Sequence, residues 1–198
     1  IKIINNKKNY GLLYSRGIGI IHSTGEYLMN LDPDDELNGT DNLEYLYNTA
    51  IKYNIDIITF SYLIKSISKS VNICSNFDYI FKQPKLFESI YNEDNSLRDY
   101  LIWNKLVKRE IFIKSYNIFK DYMFKGKWNY HEDNVWSILI HKFASTKLCV
   151  KKTIYKYKND KKNGSLMKKI TSLLSYKNYI YRFDIVRKAL NLNIEFIK

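Results

Sequence analysis

The chain is poor in the residues that punctuate or staple a fold: two prolines, seven glycines and two cysteines in 198 residues. Cys74 and Cys149 stand 75 positions apart with no CxxC spacing, which excludes a disulfide-dense scaffold and a CxxC zinc or redox site. The expectation is a pair of buried, reduced thiols in a reducing compartment. Scarce Gly and Pro, with no low-complexity stretch, leave no signal for a linker or an internal repeat. No apolar run reaches the ~18 residues of a membrane-spanning helix. Nor is there a signal-peptide pattern, and because residue 1 is Ile, the start reads as cut from something longer. Acid is scarce too, with 20 Asp and Glu against 32 Lys and Arg and a net charge of +12.

What is present suffices for one ordinary core, since 45% of the residues are hydrophobic and 16% aromatic. The positive charge invites an anionic partner. Yet Lys, Asn, Ile and Tyr are abundant together, as in proteins from AT-rich genomes, and Lys7-Lys8, Lys151-Lys152 and Lys161-Lys162 are short and scattered. They read as solvated surface rather than a nucleic-acid face, so no nucleic-acid partner is expected. The acids are not scattered. From Gly17 to Ile51 there are seven, with no Lys or Arg, and four fall within Asp32-Pro33-Asp34-Asp35-Glu36. Like charges at ~4 Å repel by about 4 kcal/mol at an effective dielectric near 20, so such carboxylates either point apart into water or share a cation.

Along the chain, Ile1 to Ile4 reads as a short buried strand and Leu12 to Ser23 as a helix. Tyr27 to Leu31 is strand-like and runs into the acidic motif, which would place the carboxylates at a strand's C-terminal end, where ligands bind in open α/β sheets. Asp41-Asn42-Leu43-Glu44 reads as a capping box opening a helix to about Tyr53, with Leu43, Leu46, Tyr47 and Ala50 on one face and Asn54 at its end. Ile55 to Leu63 is a β-branched and aromatic strand, and Ser66 to Asn76 is polar loop. Glu93 to Tyr116 and Glu132 to Ala144 read as helices, Leu148 to Tyr157 as a strand and Ser175 to Leu190 as a last amphipathic helix. The alternation is that of an α/β fold.

An EF-hand loop starting at Asp32 would need Gly at its sixth position and Glu at its twelfth; Leu37 and Leu43 stand there. A dehalogenase-type phosphatase would need Thr or Val where Glu36 stands. What survives is a strand followed by Asp-x-Asp, a hard-oxygen pair suited to Mg²⁺ or Mn²⁺ bridging to a diphosphate. Residue types alone leave an exposed acidic turn equally open, because Asp-Pro-Asp is also turn chemistry. His131-Glu132 does not begin a zinc protease motif, since the second His would fall at Val135. Glu132 and Asp133 by themselves equally suit a helix N-terminus. Trp103 and Trp136 read first as core, and His22 and His141 as ordinary packed or surface residues.

Asn9-Tyr10-Gly11, Arg16 and then Gly25-Glu26-Tyr27-Leu28-Met29-Asn30-Leu31-Asp32-Pro33-Asp34-Asp35 resembles the middle of family 2 glycosyltransferases, whose pattern runs Asn-x-Gly, Arg-Asn, Gly-Glu-Tyr and a strand ending in Asp-x-Asp-Asp. Farther on, Trp103-Asn104-Lys105-Leu106 resembles the family's Trp-x-Lys-Leu segment, and His131-Glu132-Asp133-Asn134 its Glu-Asp helix start. The resemblance extends from about residue 5 to the region of Tyr155, Tyr157 and Ser165. It departs at Gly17, which replaces the Asn that follows the motif's Arg. The family's first strands, which hold the nucleotide, would precede Ile1.

The resemblance implies a GT-A-like, Rossmann-related mixed sheet flanked by helices and missing its first strands. Residues 1–160 would be the C-terminal portion of that domain and 161–198 a helical extension. It implies transfer of a sugar from a nucleotide-diphosphate donor to a glycan or lipid-linked acceptor, inverting and dependent on Mg²⁺ or Mn²⁺. Asp34 and Asp32 would hold the metal; Arg16, Asp32 and Asp35 would bind the nucleotide-sugar. Asp133 would be the catalytic base with Glu132 as its fallback, and Trp103 and Lys105 would face the acceptor. The setting implied is cytoplasmic, at or near a membrane's inner face, where Lys168, Lys169, Lys177, Arg182, Arg187 and Lys188 would suit peripheral contact or simply be solvated. Two alternatives stand beside this: a non-catalytic basic module binding anionic polymer or membrane surfaces, and a degenerate transferase that keeps the fold without activity.

Overall fold

In a computed structural model of the chain, the structure describes residues 1–71, 78–91, 99–123 and 132–158. The elements in order are α1 (Leu12–His22), β1 (Tyr27–Met29), β2 (Glu36–Leu37), α2 (Asn42–Tyr53), β3 (Ile57–Ile64), β4 (Lys69–Val71), β5 (Ile80–Lys82), α3 (Lys85–Glu88), β6 (Lys105–Lys108), α4 (Arg109–Phe119), α5 (Glu132–Phe143) and β7 (Thr146–Tyr157). They form a seven-stranded mixed sheet in the order β1-β6-β3-β7-β2, with β4 beside β3 and β5 beside β7. The two long strands β3 and β7 are parallel and everything else pairs antiparallel. Register shifts at Phe60/Ser61 and Ser61/Tyr62 bend the central pair. Each long strand therefore serves two partners in turn: β3 pairs β6 early and β4 late, and β7 pairs β5 early and β2 late. Local bulges of this kind kink the strand and strengthen its twist, which curls the sheet.

The period-2 alternation of strand side chains divides the core. Ile57 and Val107 face a layer made by α1, α4 and α5, among Leu13, Ile20, Phe112, Trp136 and Leu139. Their neighbours Ile58 and Leu106 face the opposite layer, where Leu46 and Ala50 of α2 meet Phe60, Trp103 and Tyr155. Because both faces are covered, β3 opens with five consecutive buried residues rather than an alternating pattern.

Several expectations are corrected. Ile1 to Ile4 forms no strand; Ile1 and Ile3 are exposed, because nothing in the described structure pairs with this segment. The capping box at Asp41 does not form: the Asp41 carboxylate accepts from Lys152 (2.9 Å) instead of from helix amides, though the helix starts where expected. It ends at Asn54, which adopts the left-handed conformation (φ 49°) favourable to Asn. Leu43 and Tyr47 of its expected apolar face are exposed, whereas Leu46 and Ala50 are buried. Part of the Ser66 to Asn76 loop is a hairpin strand, β4. Most visibly, the helix expected from Glu93 to Tyr116 is interrupted by β6, and only α4 is helical among its described residues. Lys105-Leu106-Val107 is buried between β1 and β3 on both edges, and that tertiary demand overrides helical spacing. Cys149 is disulfide-bonded, contrary to the expected reduced thiols; Cys74 lies outside the described residues, as do Ser175 to Leu190 and the 161–198 extension.

Candidate active site

β1 delivers the chain into the acidic turn. Asp35 donates its amide to the Asp32 carbonyl (3.0 Å), closing a four-residue turn with Pro33 at the position whose fixed φ suits it. Within the turn the three aspartates part company. Asp32 reaches Arg16. Asp35 turns toward β7, where its two oxygens accept from the Tyr155 hydroxyl (2.7 Å) and the Lys158 amide (2.7 Å). Burial pushes the Asp35 carboxyl up, against the pull of those two hydrogen bonds. Asp34 is exposed and, among the described residues, neither pairs with a base nor accepts a hydrogen bond.

Arg16 is placed by the Asn-x-Gly motif that precedes it. Gly11, at φ 97°, occupies backbone space that other residues avoid, and its amide donates to Asn9 Oδ1 (3.0 Å), so the chain turns tightly into α1. At Gly17, which departs from the family pattern, α1 packs close against Met123: a Cβ there would lie 2.6 Å from the methionine's terminal Cε, which would have to swing aside.

From α1 the Arg16 guanidinium forks across three carboxylates. Nη2 donates to Asp32 Oδ1 (2.8 Å), while Nη1 donates to Glu132 Oε1 (3.1 Å) and to Asp133 Oδ1. Burial works against the guanidinium's charge, but Asp133, Asp32 and Glu132 outweigh it and raise its pKa. The acidic turn and the first turn of α5, 100 residues apart in sequence, thus meet at one side chain. Burial pushes Glu132 up to about 7, with the Asp133 charge adding to it and Arg16 opposing. Asp133 is also raised, by burial first, with Arg16 again opposing. Glu132 is therefore poised to exchange a proton near neutral pH, a property that a general base or acid requires.

The two residues expected on the acceptor side are buried. Trp103 is stacked on Tyr155 (4.6 Å between centroids, 26°) and Tyr157 (5.5 Å, 1°) in the core. Lys105 is wholly buried and donates to Asp99 Oδ1 (2.6 Å) and Asn104 Oδ1 (2.9 Å). The Lys105 ammonium is turned inward, away from solvent. Lys105 instead belongs to an ionic cluster that sequence reasoning missed. Asp99 joins Lys105 to Lys147, whose Nζ lies 2.7 Å from Asp99 Oδ2. Burial opposes the Asp99 charge, yet Lys105 and Lys147 hold its carboxyl well below the usual range. His141 is 3.5 Å from the same carboxylate, too long for a strong hydrogen bond. Burial and Lys147 push its imidazole down to about 4, so it is neutral at pH 7. The cluster holds two lysines against one aspartate, and Lys105 lies close enough to lower the Asp133 pKa. No spacing signal marked it, because its members come from 99–105, α5 and β7.

Among the described residues, no group of three or more His, Cys, Asp or Glu is arranged to hold a metal ion. The donor set nevertheless suits a hard divalent cation of the Mg²⁺ type. Such ions bind through one or two carboxylates, with water and substrate phosphate filling the remaining positions. Exposed Asp34 and part-exposed Asp32 supply that many.

The curled mixed sheet with flanking helices is a GT-A fold. S. aureus TarS residues 1–349 in complex with UDP-GlcNAc matches with a TM-score of 0.65 at 14% identity, over 98% of this chain and 51% of that one. A second crystal structure of TarS 1–349 gives 0.61 at 15% identity, over 96% and 48%. In sequence, the pattern of Glycosyl transferase family 2 matches residues 1–115, and the chain belongs to that family. The Cholesterol galactosyltransferase of Borreliella burgdorferi is 31% identical over 125 residues, 58% of this chain and 34% of that protein. Glycosyltransferase GlyA of Streptococcus pneumoniae is 25% identical over 114 residues, 54% and 16%. The chain thus spans about a third or less of these relatives' length. Arg16, the acidic turn, Trp103 and Lys105 fall within the family match, whereas Glu132 and Asp133 lie beyond it. No helix among the described residues is long and apolar enough to cross a membrane.

Proposed function

We propose that the protein transfers a sugar from a nucleotide-diphosphate donor to a hydroxyl of a glycan or lipid-linked acceptor, with inversion and with a divalent cation bound at the acidic turn. The observation that carries this reading is the convergence on Arg16 of Asp32 from the turn and of Glu132 and Asp133 from α5. On this reading the turn would bind the diphosphate and α5 would supply the base for one substrate between them. Family membership and the fold shared with a protein that binds UDP-GlcNAc support the donor class.

Asp34 and Asp32 would hold Mg²⁺ or Mn²⁺, which supplies charge to the diphosphate as it leaves and so favours the transition state over the ground state. Arg16 assists by orienting Asp32 and adding positive charge beside the turn. Asp133, or Glu132 beside it, takes the acceptor hydroxyl's proton as the oxygen attacks the anomeric carbon. The bond from that carbon to the diphosphate breaks, and its electron pair leaves with the phosphate oxygen. A positioned base typically contributes ~10²–10⁴-fold.

The test is donor turnover by the full-length protein with Mn²⁺ and with chelator, in the wild type and in Asp34→Ala and Asp133→Asn. Loss of metal-dependent turnover in both variants is expected; undiminished turnover in both would overturn the site.

A further inference from the structure

The acidic turn is held from β7 by one side chain, Tyr155. It is fully buried, and its hydroxyl accepts from the Asp32 amide (3.1 Å) while donating to Asp35 Oδ2 (2.7 Å). One oxygen therefore touches both ends of the Asp32 to Asp35 turn. A buried phenol needs a hydrogen-bond partner, but a tyrosine serving the core alone would need only one. This one devotes both its donor and an acceptor site to the same turn, across 123 and 120 positions of sequence.

The ring behind that hydroxyl is firmly backed. Trp103 stacks on it at 4.6 Å, Tyr157 stacks on Trp103 at 5.5 Å, and Tyr62 meets Trp103 edge-on at 4.7 Å and 80°. These aromatic residues come from β3, β7 and the segment before β6, all rooted in the sheet. The remaining Asp35 oxygen is fixed by the Lys158 amide at 2.7 Å. With Asp35 held at both oxygens and the Asp32 carboxylate on Arg16, Asp34 is left to project. The Asp32 amide at one end of the turn and the Asp35 carboxylate at the other are tied to each other through the single Tyr155 oxygen.

We propose that Tyr155 is a positioning residue for the acidic turn: its hydroxyl sets the spacing of Asp32 and Asp34 for a divalent cation, and Trp103 serves as the backing of that ring rather than as an acceptor platform. The proposal rests on the reading of Asp32 and Asp34 given above, and it extends the site to residues that touch neither substrate nor metal.

The experiment uses the full-length protein and Tyr155→Phe, which keeps the ring stack and removes the oxygen. Val150→Ala, a buried change in the same core layer, controls for general loosening. Two quantities are measured: hydrogen exchange of the Asp32 amide by NMR, and affinity for Mn²⁺ alone by electron paramagnetic resonance, with Asp34→Ala as the reference for loss of binding. Tyr155→Phe should speed Asp32 exchange and weaken Mn²⁺ binding by about tenfold each, the scale of one lost hydrogen bond. Val150→Ala should leave both near wild type. Unchanged Asp32 exchange in a folded Tyr155→Phe protein would overturn the clamp. Faster exchange with unchanged Mn²⁺ affinity would overturn its positioning role. A wild type that binds no Mn²⁺ would instead overturn the metal reading of the turn, while the exchange result would still decide whether Tyr155 holds it.

Discussion

Replacing Arg16 by Met tests the convergence of the two acidic segments directly. The guanidinium is one-eighth exposed or less at its side chain (12%), and the acids it joins are 8% (Glu132), 20% (Asp133) and 31% (Asp32) exposed. At an effective dielectric near 20, a contact of ~3 Å is worth about 5 kcal/mol of gross attraction. Desolvation and mutual repulsion of the acids offset most of that. The net cost of removing one partner from a buried ion pair is about 3–5 kcal/mol, because the other charge is left uncompensated. Partial exposure of Asp32 favours the lower end. The loss must also depend on pH. Arg16 holds the pKa values of Glu132 and Asp133 down, so in Arg16→Met both rise further above their unfolded values. A raised carboxyl contributes stability that is fully present below its unfolded pKa and lost as pH rises through its folded pKa. The variant's deficit should therefore be small near pH 5 and reach about 3 kcal/mol by pH 8. Urea unfolding of wild type and variant at both pH values measures it. A deficit below about 1 kcal/mol at pH 8, or one equal at both pH values, would refute the buried, charge-compensated geometry.

Three further outcomes are expected. Glu132→Gln removes a carboxyl whose pKa is raised from 4.5 to about 7; its stability relative to wild type should improve as pH rises from 5 to 8, by at most about 3 kcal/mol, and a difference independent of pH would count against that shift. Asp99→Ala strands Lys105 and Lys147 in the core and should cost about 3–5 kcal/mol, read as a fall in the urea midpoint; Asp99→Asn, which keeps the acceptor oxygen, should recover only part of it. Trp136→Ala empties space between Phe112 and Phe119, which pack edge-on against it at 5.7 and 4.9 Å, and should cost about 3–5 kcal/mol; a smaller cost would mean that the helical layer collapses into the void.

The parts of the fold legible in the sequence were those whose local pattern and tertiary role agree. α1, β3, α5 and β7 fall where their apolar residues place them, α2 does so with only Leu46 and Ala50 of its expected face buried, and the strand before the acidic turn ends in turn chemistry. The segment around Lys105 was misread because its apolar residues fit a helical stripe, while only the two neighbouring strands show that Leu106 and Val107 must alternate between faces. A charged residue inside that strand is tolerable only because Asp99 and Asn104 meet Lys105, a compensation invisible to periodicity. In the site, Arg16 and the acids were legible as motif residues. Tyr155 was not, because a tyrosine on a core strand carries no signal of which way its hydroxyl bonds.

The acidic stretch from Gly17 to Ile51 contains no base, yet the fold brings partners to most of its acids, all but Tyr47 from outside the stretch. Glu26 accepts from Tyr47 (3.1 Å), Asp32 from Arg16, Asp35 from Tyr155 and Lys158, Glu36 from Lys65 and Asp41 from Lys152. Glu44 sits in the first turn of α2, where the helix dipole favours a negative charge. Asp34 stands apart: it is exposed in the turn, between Asp32 and Asp35, whose carboxyls are already engaged. If the stretch existed only to cap a turn or solvate a surface, the charge left over would be expected at random among its members. It is left instead on the middle member of Asp-x-Asp-Asp, exposed to solvent and, among the described residues, unpaired with any base, where the proposed cation would meet the least competition from the protein's own bases.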